Sequence, residues 1–227
     1  MKTLYFDEIP STNTYAKSLL STGEDAVIIA KRQTGGRGTK GRSFCSHEGG
    51  VYLTKLSFYS DFAAKNAFLI MAAAATAVCK TLEFYGLQPQ IKWPNDVFVS
   101  GKKICGILIE NVFSGSCVSA SVVGIGLNVT NPLDDELKDI AITMSQLLKT
   151  PPKTDDVTKV LLGFLATPFD MQDYSSRLGF LGSPVTLIEG ERRSQVTALG
   201  VTERGELIVR EKEKTRLVQA GEVSLRI

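Results

Sequence analysis

The chain of 227 residues holds a single histidine, His47, and that scarcity removes several mechanisms at once. Metal centres built from clustered imidazoles, and Ser-His or Cys-His nucleophile systems, become poor expectations. The four cysteines, Cys45, Cys79, Cys105 and Cys117, include no C-x-x-C pair. Two of them sit inside apolar runs, as buried thiols do in a reducing compartment, so the expectation is a cytoplasmic protein with neither a disulfide framework nor a zinc site. Charge of one sign is lacking too: the formal net charge is +2, which disfavours the basic coat of a general nucleic-acid binder. The opening residues Met1 to Glu8 carry acids where a signal peptide needs an apolar core, and no export is expected. The most apolar stretch, Ala67 to Cys79, is too short to span a bilayer and is flanked by Lys65, Asn66 and Lys80; within a helical pattern from Ala63 to Tyr85, ended by Gly86, it predicts a buried central helix. An enzyme with this inventory works by positioning and charge.

What is present is a loop rich in glycine and cations, Lys31 to Phe44, following the buried strand pattern Ala26 to Ala30. Gly35, Gly36, Gly38 and Gly41 let backbone fold closely round a ligand, while Arg37, Lys40 and Arg42 bring positive charge, a combination suited to a phosphate or carboxylate. Gly36 to Ser43 nearly spells a P-loop, but Arg42 stands where lysine belongs and no helix follows. A nucleic-acid backbone site and a solvated turn are the rival readings of the loop by itself.

In chain order, Leu4 to Ile9 predicts a strand, and Ser11, Thr12 and Asn13 open a helix through Leu20 that stops at Gly23; all three are good caps and can equally face a ligand. Val51 to Phe58 predicts a largely buried strand. Ile91 to Val99 and Lys102 to Glu110, joined by Ser100-Gly101, predict a hairpin in which Pro94-Asn95-Asp96 kinks the first strand and which can bring Asp96 and Lys103 together, a hard oxygen ligand for magnesium and a cation for phosphate. A further strand, Cys117 to Gly124, leads into Gly124-Ile125-Gly126-Leu127-Asn128-Val129, which is no dinucleotide fingerprint because the third glycine and the helix are missing. Short helical patterns follow at Met144 to Lys149 and Asp155 to Phe169. From Ser183 on, short β runs without helices predict a small SH3-like barrel, with a boundary near Arg177 to Gly182.

Together these stretches resemble the biotin protein ligases: Ser11-Thr12-Asn13, Gln33-Thr34 with Gly36 to Arg42, Lys92-Trp93-Pro94-Asn95-Asp96, Lys103 with Gly106-Ile107-Leu108 and Glu110, Gly124 to Val129, and the closing Gly221-Glu222-Val223-Ser224-Leu225-Arg226. The resemblance covers essentially the whole chain and implies an α+β fold: a mixed sheet with flanking helices like class II aminoacyl-tRNA synthetases at residues 1–178, then the SH3-like barrel at 179–227. It also implies that biotin and MgATP form biotinyl-5′-AMP and that biotin passes to one lysine of a biotin carboxyl carrier protein. Because the first strand starts at Leu4, the ligase-only type, without an N-terminal DNA-binding domain, is expected; oligomeric state is left open, a homodimer being one option.

The family's pattern assigns Ser11, Thr12, Asn13, Gln33, Arg37, Gly38, Thr39, Lys103 and Gly106 to biotin. It assigns Thr39, Lys40, Arg42, Phe44, Asn95, Lys103 and Asn128 to ATP. Lys103, Arg37 and Asp96 are the expected catalytic residues, and Asp96 the expected magnesium ligand. The chain departs from the family at Thr39, where a second arginine is usual, and at Phe44, where tryptophan is frequent. The nearest alternative is a lipoate–protein ligase; a rival of another class is a non-catalytic nucleic-acid-binding module.

Overall fold

The computed structural model describes residues 1–219 and 223–226, so Gly221 and Glu222 of the closing motif lie outside the described residues. The N-terminal part contains β1 (Lys2–Ile9), α1 (Thr12–Ser18), β2 (Ala26–Gln33), β3 (Val51–Phe58), α2 (Phe68–Phe84), β4 (Gln90–Lys92), β5 (Asp96–Val99), β6 (Lys102–Ser114) and β7 (Cys117–Leu127). Seven strands form one sheet in the order β1-β2-β3-β7-β6-β5-β4. Only β1 and β2 run parallel, joined by the helical crossover that a parallel pair requires; the other neighbours are antiparallel. Helices α3 (Met144–Leu147), α4 (Thr154–Leu165) and α5 (Met171–Ser176) follow, the last without a counterpart in the sequence reading.

Both faces of the central strands are covered, which is why β2 and β3 read as near-continuous apolar runs. On one face Ala26, Ile28, Leu56 and Val122 pack with Ala16 of α1. On the other, Val27, Leu53, Ile107 and Ile125 join Ala72, Ala75, Val78 and Leu82 of α2 in the main core. By length and composition Ala64–Phe84 could cross a membrane, but α2 packs against α4, α5 and β6, as the sequence reading expected of a core helix.

Two expectations need correction. The Pro94 step does not kink one strand; Lys92 pairs with Asp96 and Ile91 with Val97, so the chain reverses there and makes two strands, β4 and β5. Proline, which cannot donate to a ladder, sits in that reversal. The strand expected to end at Gly124 runs on to Leu127 as the end of β7, paired on both sides. Its small-large alternation is the period of a strand: Ile125 and Leu127 enter the core while Gly124 and Gly126 face the other way.

The C-terminal part comprises β8 (Pro184–Glu189), β9 (Arg192–Val201), β10 (Leu207–Glu211), β11 (Lys214–Val218) and β12 (Val223–Arg226), an antiparallel sheet ordered β11-β10-β9-β8-β12. Arg216 on β11 holds both carboxylate oxygens of Glu189 on β8 at 2.8 and 2.6 Å, although two strands separate them in the sheet order. The sheet is therefore curled as a small barrel is. Its buried Val185, Leu187, Val196, Ala198, Leu207 and Val209 belong to the same core as α2, and Trp93 Nε1 donates to Gly205 O at 2.9 Å.

Candidate active site

Cross-strand register builds one wall of the site. Tyr52 lies opposite Gly126, Gly126 opposite Gly106, and Gly106 opposite Asp96. In the next row Thr54 faces Gly124 and Gly124 faces Leu108. All point to the α1 side of the sheet, and three glycines among them leave a hollow over the strands. A Cβ on Gly124 would sit 2.1 Å from Asn13 Oδ1, and one on Gly126 would sit 2.4 Å from the Phe44 ring. The glycines thus let Asn13 and Phe44 lie directly on the sheet.

The cleft is lined by Ser11, Thr12, Asn13, Gln33, Arg37, Gly38, Thr39, Phe44, Asn95, Asp96, Lys103 and Gly106, together with Ile107, Leu108 and Gly124 to Gly126. Every residue assigned to biotin from sequence is among them. Ser11 also caps α1, accepting from Thr14 N at 3.3 Å, so capping and lining coexist. At the buried end, Gln33 Oε1 accepts from Thr12 N at 2.8 Å and Thr12 Oγ1 at 3.0 Å, and Gln33 Nε2 donates to Ser46 Oγ at 2.9 Å. Ser46 Oγ donates to Phe44 O at 3.0 Å, tying the glycine loop to this network. The Thr54 hydroxyl donates to Asn13 Oδ1 at 2.7 Å and lies 2.8 Å from Thr12 Oγ1. Asn13 Nδ2 donates to Glu110 Oε2 at 3.2 Å, and Glu110 is also paired with Lys17.

At the other end Lys103 Nζ meets Asp96 Oδ1 at 2.6 Å, the pair expected from the hairpin. The Lys103 backbone is clamped by a neighbouring segment, donating to Ile140 O and accepting from Ile142 N, both at 2.9 Å. Asn95 Nδ2 donates to Ile107 O at 2.9 Å while Asn95 O accepts from Ile107 N at 3.0 Å, locking the β4–β5 reversal onto β6. Between the two ends the glycine loop turns back on itself: Phe44 N donates to Gly36 O at 3.0 Å and Gly38 N to Arg42 O at 2.7 Å.

The ATP assignments divide. Thr39, Phe44, Asn95 and Lys103 line the cleft; Arg42 and Asn128 are not among its lining residues. The Lys40 backbone belongs to a short 3-10 turn, Thr39–Gly41, and its side chain lies outside what the structure describes. Asn128 is buried, with Nδ2 donating to Ile142 O at 3.2 Å and Oδ1 accepting from Asn131 at 3.1 Å. It therefore braces the segment that holds the Lys103 backbone. Sequence reasoning passed over Thr54, Ser46 and Tyr52. Thr54 is an ordinary hydroxyl in an apolar strand, and only strand pairing shows it beneath Asn13. Tyr52 donates to His47 O at 2.6 Å, and burial holds its phenol protonated far above the usual range.

Chemically, the cleft joins a buried end of matched amide and hydroxyl groups to an open end bearing Lys103 and Arg37. Such an arrangement can hold a small polar ring at one end and neutralise developing negative charge at the other.

Comparison with known proteins agrees with this layout. A model of the biotin/lipoate A/B protein ligase family matches residues 5–128, and one of the biotin protein ligase C-terminal domain matches residues 180–226. The bifunctional ligase/repressor BirA of Bacillus subtilis is 37% identical over 149 residues, covering 63% of this chain and 46% of that protein, so the chain spans under half the length of this relative. The biotin–[acetyl-CoA-carboxylase] ligase of Paracoccus denitrificans is 28% identical over 241 residues, covering 94% of this chain and 96% of its own. The biotin protein ligase of Aquifex aeolicus, solved with biotin and ATP, superposes with a TM-score of 0.82 at 26% identity over 99% of this chain and 98% of that one. With the family model covering more than half its length, the glycine-walled cleft on its mixed sheet and the curled C-terminal sheet behind it, this chain belongs to the biotin/lipoate A/B protein ligase family.

Proposed function

We propose that the chain is an ATP-dependent ligase that activates biotin as biotinyl-5′-AMP and passes the biotinyl group to a lysine of a biotin carboxyl carrier protein in the cytoplasm. The observation that carries the choice of biotin is the polar network at the buried end of the cleft. Thr12, Asn13, Gln33 and Thr54 are mutually bonded there, and they can exchange those bonds for the N–H and C=O groups of a ureido ring. An unbranched acyl chain or a dithiolane would leave those groups unpaired, at about 1–3 kcal/mol for each. The match of residues 180–226 to a biotin protein ligase C-terminal domain supports the same choice over lipoate.

Adenylation joins a carboxylate to the α-phosphate, so two anions must meet. Lys103, at the open end and held by Asp96, would neutralise charge at the reacting phosphate; Arg37 and the Gly38 and Thr39 backbone would hold the carboxylate side. No protein nucleophile is needed, so a single histidine is no handicap. Phe44 would offer its face to adenine, with Arg42 and Lys40 nearby in the loop. Asp96 brings one carboxylate oxygen, which fits magnesium held largely by phosphate and water. Such an ion would supply charge neutralisation to the polyphosphate.

The test is biotin-dependent exchange of pyrophosphate into ATP by the purified chain, with lipoate and octanoate as rival acids. Exchange with biotin and little with the others is expected. Equal exchange with lipoate would move the assignment to the other branch of the family; salt-sensitive nucleic-acid binding without ATP use would remove catalysis altogether.

A further inference from the structure

Beyond the cleft, Cys45, His47 and Asp134 form a cluster that neither the fold nor the proposed reaction uses. Cys45 and His47 leave the glycine loop; Asp134 arrives on the segment after β7. The thiol sulfur, an imidazole nitrogen and a carboxylate oxygen all lie within 4.8 Å of one another, with His47 Nε2 at 2.9 Å from Asp134 Oδ1. Among the described residues this is the sole group of three His, Cys, Asp or Glu side chains gathered in this way. Backbone bonds hold the two segments independently of these side chains: Thr130 N donates to Gly49 O at 2.8 Å, and Tyr52 anchors His47 O. The cluster is thus not needed to fasten the loops.

We propose that Cys45, His47 and Asp134 form a three-ligand site for a borderline divalent metal of the zinc class, with a fourth position open to solvent. One sulfur, one imidazole nitrogen and one carboxylate oxygen make the mixed donor set such an ion takes, whereas magnesium or calcium would ask for oxygens alone. Bonds of about 2.0–2.3 Å place tetrahedral donors roughly 3.3–3.7 Å apart, so donors now up to 4.8 Å apart must close by at most about 1.5 Å while the His47–Asp134 pair, at 2.9 Å, opens by about 0.5 Å. His47 and Asp134 are exposed enough to turn that far. In the metal-free cluster the Asp134 carboxylate accepts from both the imidazole and the thiol, which holds it below the usual carboxylate range. On binding, the sulfur–metal bond forms, the S–H bond breaks and its proton passes to solvent. The site is independent of the ligase reading, since none of the three residues lines the cleft.

The test is titration of the tag-free chain with cobalt(II), which reports a thiolate bond through a sulfur-to-cobalt charge-transfer band in the near ultraviolet. Saturation at equimolar cobalt is expected, with zinc displacing the cobalt and abolishing the band. Cys45→Ser should abolish the band, and Cys117→Ser should leave it intact. His47→Gln and Asp134→Asn, both at exposed positions, should each weaken affinity more than about 10-fold, the lower bound of what even outer-shell partners cost. A wild type without the band, a band that survives Cys45→Ser, or wild-type affinity in both exposed variants overturns the proposal.

Discussion

Lys103 carries the sharpest expectation for a single side chain. Its ammonium is fixed by Asp96 and its backbone by the 140–142 segment, so it is already placed for a charge that develops in the reaction. Lys103→Ala should lower biotin adenylation about 10²-fold or more, the scale for removing one preorganised charge stabiliser, with little change in stability. Near-normal turnover at saturating ATP and biotin would reduce the lysine to a surface cation. Gly126 is tested through Phe44, whose ring would lie 2.4 Å from an added Cβ. Gly126→Ala should displace the ring and raise the KM for ATP roughly 10-fold, since stacking of an aromatic side chain on a base is worth about 1–3 kcal/mol. An unchanged KM would show that Phe44 does not face adenine. Residue identity revealed Lys103 and the Gly36 to Arg42 loop, because charge and glycine are rare enough to stand out. It could not reveal Thr54 or Ser46, whose roles depend on which neighbour the fold supplies.

For the elements, local rules succeeded where one element decides its own form. Ser100 and Gly101 both take positive φ and close the β5–β6 hairpin as expected, and Gly23 ends the first helical segment in the left-handed region. They fell short at Gly124, where the strand was expected to end, because alternate glycines weaken the strand pattern until the partners show the ladder running on to Leu127. The curl of the C-terminal sheet rests in part on the Arg216–Glu189 pair, where the bonded guanidinium holds the carboxyl below its ordinary range. A lowered folded value means that this contribution is present at neutral pH, where Glu189 is ionised in folded and unfolded chains alike. It is lost as pH falls below the unfolded value and through the lowered folded one. The stability gap between wild type and Arg216→Met, followed by urea midpoints from neutral to about pH 3, should therefore narrow as acid is added. A gap that stays constant would deny the pair any linkage to pH.

Taken as a whole, the molecule has one continuous core that runs from Val27 to Val218 through the C-terminal sheet, with Trp93 donating across to Gly205. The two parts should therefore unfold in one calorimetric transition, and Trp93→Phe, which strands the carbonyl of the buried Gly205, should cost about 1–3 kcal/mol. Two separated transitions in the wild type would contradict this. The strand patterns, the central helix, the cationic glycine loop and the resemblance they carry were all legible along the chain, because each is set by side chains adjacent in sequence and by the period of the backbone. Folding alone settled which rows cross the sheet, that Asn128 braces Lys103 instead of lining the cleft, and that Cys45 and His47 meet Asp134. Those facts depend on register and on contacts between segments dozens of residues apart, and side-chain chemistry read in order carries no record of distance across the fold.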